Sequence, residues 1–405
     1  MAQCCEDKVM DVIAQIASFN AGREPERLAI KYDKMRASRF AFLRGTCHLF
    51  YGQLARGGVF ESAPLAWICG DLHLENFGSY KGDNRLVYFD LNDFEDAVLA
   101  PASWDLVRML TSLWVGAESA SLRRSEARVL CDAFLDAYCA SLVMGKASWV
   151  ERATAQGLVR DLLVGLGDRP RARFLDTRTQ TRDKRRRLLV DGIKALPASK
   201  AQHREVTDFM AAFAKAQPDP GFFKVLDLAR RIAGLSSLGL ERYAILVRGK
   251  GSADGNYLLD LKQSVPSALA PHLQVAQPPW KTQAHRVVAL QRRLQAVSAA
   301  FLTPVMLGGK AYVLRDLQPS EDKITLGQSG QSLGELRQLV ETMGNIVAWS
   351  QLRASGRDGS ATADELITFG RRTKWRQTLL AASRECAEQV GKDSAVFNAA
   401  YDDRC

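Results

Sequence analysis

The segments ICGDLHLENFG (68–78) and LVYFDLNDF (86–94) hold the densest set of groups able to do chemistry. Four residues separate Asp71 from Asn76, and a hydrophobic run then ends in Asp93-Phe94. Phosphoryl transfer needs this set: one carboxylate orients an attacking hydroxyl, while a second carboxylate and an amide oxygen hold Mg²⁺, a hard ion that prefers oxygen donors. Asp71 suits the first role, Asn76 and Asp93 the second. Asp90 lies three residues before Asp93 and competes with it as a ligand.

The same loop allows another chemistry. Asp71, His73 and Glu75 alternate, so in an extended segment they would share a face and could bind a transition metal, as zinc and iron hydrolases do. No HExxH motif accompanies them, and His48, His203, His272 and His285 are scattered singly. His73 alone reads as a residue that hydrogen-bonds its own loop.

A second set of groups follows a change of texture near residue 222. A short strand at Val225-Leu226 leads to Gly234-Leu235-Ser236-Ser237-Leu238-Gly239, then to a strand over 243–247. A turn over 249–255 precedes a further strand carrying Lys262. Glycines 234 and 239 bracket small serines, letting backbone N–H groups approach phosphates, and a strand-borne lysine neutralises them. Beyond Lys262 the pattern predicts a helix over 284–299 and two strands, 305–307 and 311–314, flanking Gly308-Gly309.

The elements that must position these groups are legible from apolar spacing. Residues 6–60 read as helical, and Leu65 to Cys69 as a buried strand running into Gly70. Pro101-Ala102-Ser103 opens a helix, and another spans 125–142. More helix is expected up to about residue 215, interrupted by a basic segment, and again over 333–354 and 373–402. A chain of 405 residues is long enough for two or three domains.

With 47% hydrophobic and 25% charged residues, the composition is that of an ordinary soluble protein. No apolar run reaches a membrane span, and Met1 to Lys8 lacks a signal-peptide pattern. Eight cysteines without CxxC spacing indicate neither a disulfide framework nor a zinc site, so the expected home is a reducing cytoplasm. The net charge of +10 concentrates between Asp168 and Arg187, which holds nine Lys or Arg against three Asp. Such a cluster attracts phosphate-bearing ligands or nucleic acid. Lacking interleaved aromatics, it reads as a solvated face, and nucleic acid is not the expected partner.

The segments KYDKMRASRFAFLRG, GDLHLENFGSY, FDLNDFEDAVLAPASWDLVRML and LLDLKQS together resemble the bacterial domain-of-unknown-function family 2252 over most of the chain. GDLHLEN also resembles the Gly-Asp-x-His-x-x-Asn signature of aminoglycoside and choline kinases, and more loosely that of HipA-type toxin kinases. The resemblance implies an α+β, protein-kinase-like two-lobe fold with a mostly helical large lobe. It implies ATP and Mg²⁺ as cofactors, Asp71 as base, Asn76 and Asp93 (or Asp90) as metal ligands, and Gly234, Ser236, Ser237, Gly239 and Lys262 at the phosphates. His73 would support the loop, and Asp105 would brace it.

The glycine loop and lysine precede the catalytic loop in ordinary kinases but follow it here by about 160 residues, so a circular permutation is expected. Residues 1–221 would then form part of the large lobe, 222–317 the small lobe, 317–320 the hinge and 318–405 helices completing the large lobe. One departure stands out. No acidic residue lies between Lys262 and Asp316, so the helix glutamate that would pair the lysine is missing, with Gln291 as a substitute. A degenerate nucleotide-binding or scaffold protein, or an AMP-transferring enzyme, are the alternatives. Arg36, Arg39, Arg44 and the basic segment 169–187 suggest an anionic small-molecule or protein acceptor.

Overall fold

The computed structural model describes residues 12–402 except 55–57, 168, 183–184, 320–321 and 329. Met1 to Lys8, Asp168, Lys184 and Ser320 therefore lie outside the described residues. Strand β1 (Leu65–Ile68) pairs antiparallel with β4 (Val98–Pro101), and between them β2 (Phe77–Lys81) forms a hairpin with β3 (Val87–Leu91). Helices Ser103–Ser119, Arg124–Met144, Leu333–Ala354 and Lys374–Asp402 pack around these strands over one large core. The expected helices over 125–142, 333–354 and 373–402 are thus present, and the one expected over 284–299 ends earlier, as Gln283–Leu294.

A six-stranded antiparallel sheet forms the second half of this α+β architecture. Its order is β11 (Thr303–Leu307), β12 (Lys310–Asp316), β10 (Tyr257–Gln263), β9 (Arg242–Val247), β8 (Val225–Arg231), β7 (Ala195–Pro197). The sheet starts at Ala195, upstream of the boundary expected at 222. Side chains alternate across a strand, and on β10 Leu259 and Leu261 enter a core with Val206 and Met210 of the helix Lys200–Lys215. Leu258 points to the other face, with Leu175, Leu188 and Leu317.

Two helices and a hairpin were not foreseen. The basic segment holds a short helix, Arg171–Asp176, and a hairpin of β5 (Thr179–Arg182) with β6 (Arg185–Leu188). Arg186 and Leu188 face inward, so an arginine occupies a core-facing position and hides the strand alternation. The helix Ala363–Arg371 announces itself only by its capping box, Thr362 with Glu365.

The sheet is cross-tied by charge. Asp260 on β10 is fully buried and receives two hydrogen bonds from Arg242 on β9, at 2.8 and 2.7 Å. Arg231 on β8 approaches to 3.0 Å and Arg315 on β12 to 3.6 Å. Burial alone would raise the Asp260 carboxyl; Arg231, Arg242 and Arg315 instead hold it far below the usual carboxylate range. Removing one member of such a buried cluster leaves uncompensated charge. Asp260→Ala should therefore destabilise the protein by about 3–5 kcal/mol, read from urea unfolding, whereas an effect under about 1 kcal/mol would show the arginines are hydrated instead.

Candidate functional site

The site is built where β1 runs into Gly70. This glycine has φ +84°, and a side chain would run into the Asp96 carbonyl, so only glycine fits. Asp105, in the first turn of the helix Ser103–Ser119, accepts the N–H groups of Cys69 and Gly70, each at 2.9 Å. Burial raises the Asp105 carboxyl to about 6 even though these bonds oppose the shift. Asp105 thus ties the end of β1 to this helix. One helical turn on, the fully buried Arg108 donates from Nε (3.1 Å) and Nη2 (2.7 Å) to a single oxygen of Asp71. The other Asp71 oxygen receives nothing from Arg108, and the buried Cys47 thiol lies against the same carboxylate.

Asn76 stitches this loop to the next. Its amide nitrogen donates to the Asp71 carbonyl at 3.1 Å, and its Oδ1 accepts the Asp93 N–H at 2.8 Å. The two candidates after β3 separate clearly. Asp90 is buried and accepts the N–H groups of Leu91 and Ala296, with Arg353 at 3.5 Å. It anchors β3, so its candidacy as a metal ligand falls. Asp93 keeps 44% of its side chain exposed and lies 3.9 Å from Lys262 Nζ. Lys262 also contacts the Glu95 carboxylate. Burial lowers its amine to about 8, with Asp93 opposing the shift.

The carboxylate missing from the helix is thus supplied by Glu95, two residues past Asp93. Gln291 lies beside the same small cavity but donates to Gln295, whose amide is bonded to Leu91, so it does not take the glutamate's place. The transition-metal alternative also fails. Asp71 binds Arg108, His73 Nδ1 accepts the Glu75 N–H at 3.1 Å, and Glu75 pairs with Arg44 and Lys323. Those three groups are directed to separate partners. His73 supports its loop, as expected.

The glycine turn sits beside this centre. Gly234 (φ +74°) would place a Cβ 3.6 Å from Lys262 Nζ, and Gly239 (φ +91°) would meet the Arg23 side chain. Ser237 Oγ bonds within the turn, to Gly234 O at 3.4 Å. The Ser236 carbonyl accepts from Arg23 at 2.6 Å and from the buried Lys31 at 3.1 Å. The carbonyls of this turn, rather than a ring of free N–H groups, thus face cations on the first helical segments. Arg36, Arg39 and Arg44 do not line an open basic cleft: they pair with Asp402, Glu118 and Glu75.

Asn76, whose Oδ1 accepts the Asp93 N–H, and Asp93 both carry oxygen donors of the hard kind that Mg²⁺ prefers. A separate trio, Cys47, Asp71 and Asp96, brings ligand atoms within 4.8 Å of one another, but Arg108 already neutralises Asp71. Arg108, Glu95 and Asp96 escaped assignment although all lie in the FDLNDFEDAVLAPASWDLVRML segment. The signal was an acidic pair straight after Asp93-Phe94 and an arginine one turn after Asp105.

The fold and site define a mixed α+β protein with a paired Asp–Asn acidic loop set against a lysine-bearing antiparallel sheet. The chain belongs to domain-of-unknown-function family 2252, uncharacterized protein conserved in bacteria, whose model matches residues 23–400. No curated protein and no solved structure matches it. Among the described residues no helix is long and apolar enough to cross a membrane.

Burial, and secondly repulsion from Asp71, raises the Asp96 carboxyl to about 6. A raised folded-state pKa contributes stability below the unfolded value near 4, which is lost as pH rises through about 6. Asp96→Asn removes that loss. Its stability relative to the native protein should therefore improve by about 2–3 kcal/mol between pH 4 and pH 8 in paired urea melts, and equal differences at both pH values would refute the assignment.

Proposed function

We propose that this protein is an ATP- and Mg²⁺-dependent phosphotransferase acting on a hydroxyl, built on a kinase-like two-lobe plan in permuted order. One observation carries the reading. Lys262, from the second strand after the glycine turn, meets Asp93 and Glu95 of the loop that Asn76 ties to Asp71. Two motifs remote in sequence therefore share one centre. The element order supports it: two strands around a glycine turn, a lysine strand, the helix Gln283–Leu294, then two strands.

In this mechanism the acceptor hydroxyl bonds to the Asp71 oxygen that Arg108 leaves free. Arg108 fixes the carboxylate's rotamer. As the acceptor oxygen attacks the terminal phosphorus, a new P–O bond forms and the bond to the bridging oxygen of ADP breaks. The hydroxyl proton passes to Asp71. Lys262 neutralises phosphate charge from the sheet side. Asn76 and Asp93 would hold Mg²⁺, which supplies charge neutralisation to the phosphates. Glu95 keeps Lys262 oriented, which removes the motive for a degenerate protein. AMP transfer on the same scaffold would release pyrophosphate instead of ADP.

The test is turnover of labelled ATP against a metabolite library, with ADP and pyrophosphate measured separately. Asp71→Asn should lower turnover by about 10²- to 10⁴-fold, with circular dichroism showing a native fold although loss of the Arg108 ion pair lowers the thermal unfolding temperature. Full activity in that variant would eliminate Asp71 as the base. As pH rises through about 8, Lys262 loses its charge, so Mg·ATP affinity should fall between pH 7 and pH 9. Lys262→Arg should show a flatter profile over the same range.

A further inference from the structure

A cavity of about 540 Å³ lies away from Asp71, at the far ends of β2 and β10. Lys81 is five residues beyond Asn76, and Leu258 four residues before Lys262. At about 3.3 Å per residue, Leu258 lies roughly 13 Å along β10 from Lys262. Its volume falls in the range of small-molecule and cofactor sites.

Three features of its wall specify a ligand. Leu163, Leu166 and Phe174 give it an apolar side, and the Arg171 guanidinium sits over the Tyr257 ring, 3.6 Å from its centre. Arg85 and Arg152 open onto it with no side-chain hydrogen bond or ion pair among the described residues. Arg85 itself is held at φ +73°, a conformation rare for a residue with a side chain. The wall also carries Asp316, whose carboxylate accepts no hydrogen bond among the described residues and is raised to about 6 by burial, Lys81 and Arg171 opposing. A carboxylate with free lone pairs suits vicinal hydroxyls, as in ribose recognition, and free guanidinium groups suit phosphate.

We propose that this cavity binds a ribose phosphate of nucleoside-monophosphate size. Asp316 accepts hydrogen bonds from the sugar hydroxyls, Arg85 and Arg152 hold the phosphate, and the apolar wall with the Arg171–Tyr257 stack takes the base. The proposal does not rest on the phosphotransfer reading, because none of these residues belongs to the Asp71 centre.

Isothermal titration of the full chain with AMP, ribose 5-phosphate, adenosine and inorganic phosphate tests it. AMP and ribose 5-phosphate should bind with dissociation constants below about 1 mM. Arg85→Ala combined with Arg152→Ala, both at exposed positions, should weaken AMP about tenfold or more while leaving adenosine unchanged. Asp316→Asn should weaken AMP and ribose 5-phosphate about tenfold and leave inorganic phosphate unchanged. Displacement of AMP by Mg·ATP would identify the ligand as the nucleoside end of ATP, and simultaneous binding would identify a separate nucleotide. Either result supports the site. Absent binding of both ribose phosphates, or binding unchanged in both variants, overturns it. Asp71→Asn should leave AMP affinity unaltered, so failure of the transfer reading and failure of the cavity are read separately.

Discussion

The buried Asp105 carboxylate, accepting the N–H groups of Cys69 and Gly70, is the interaction on which the acidic centre depends. It presses the end of β1 against the start of a helix, and Gly70 has to take a left-handed conformation against the Asp96 backbone to let this happen. Once Gly70 is fixed, Asp71 emerges at a defined angle, and Arg108, on the same helix face as Asp105, reaches it. A single helix thus both holds the loop and supplies the counter-charge of its central carboxylate.

Much of this was legible in the sequence because it is local. The Asp71–Asn76 spacing, the strand running into Gly70 and the Pro-Ala-Ser helix start each depend on a few neighbouring residues. The choice between Asp90 and Asp93 was not legible, because it turns on where β3 stops. Asp90 is still within the strand and opposite Gly78, whereas Asp93 is beyond it. The partner of Lys262 was hidden for a different reason. The expectation looked for a carboxylate in the helix following the lysine, but packing brings Glu95 to it from a loop far upstream. Strand pattern likewise concealed the β5–β6 hairpin, where a buried arginine stands in the place of an apolar residue.

Charge is distributed unevenly through the sheet. Its hydrophobic face carries ordinary leucines and valines under the helix Lys200–Lys215, while the opposite face is crossed by arginines gathered on Asp260. Fixed guanidinium groups with too few carboxylates create a positive potential in a region shielded from water, where it is weakly screened. Asp93 and Glu95 balance part of it at the Lys262 end of the same face.

The hold of residues 23–31 on the glycine turn has a consequence for how the chain folds. Arg23 and Lys31 bond to the Ser236 carbonyl across separations of 213 and 205 residues, and the Glu24 N–H bonds to Gly239 O. During synthesis the helix Pro25–Ala37 emerges early, but these partners do not exist until more than half the chain has been made. Loop closure over such distances is entropically costly and comes late. Until then Lys31 stays hydrated and the N-terminal segment cannot reach its final seat. Assembly of the acidic centre against the sheet is consequently a terminal event of folding, and a growing chain interrupted before residue 240 holds Asp71 and Asn76 without the lysine they face in the finished molecule.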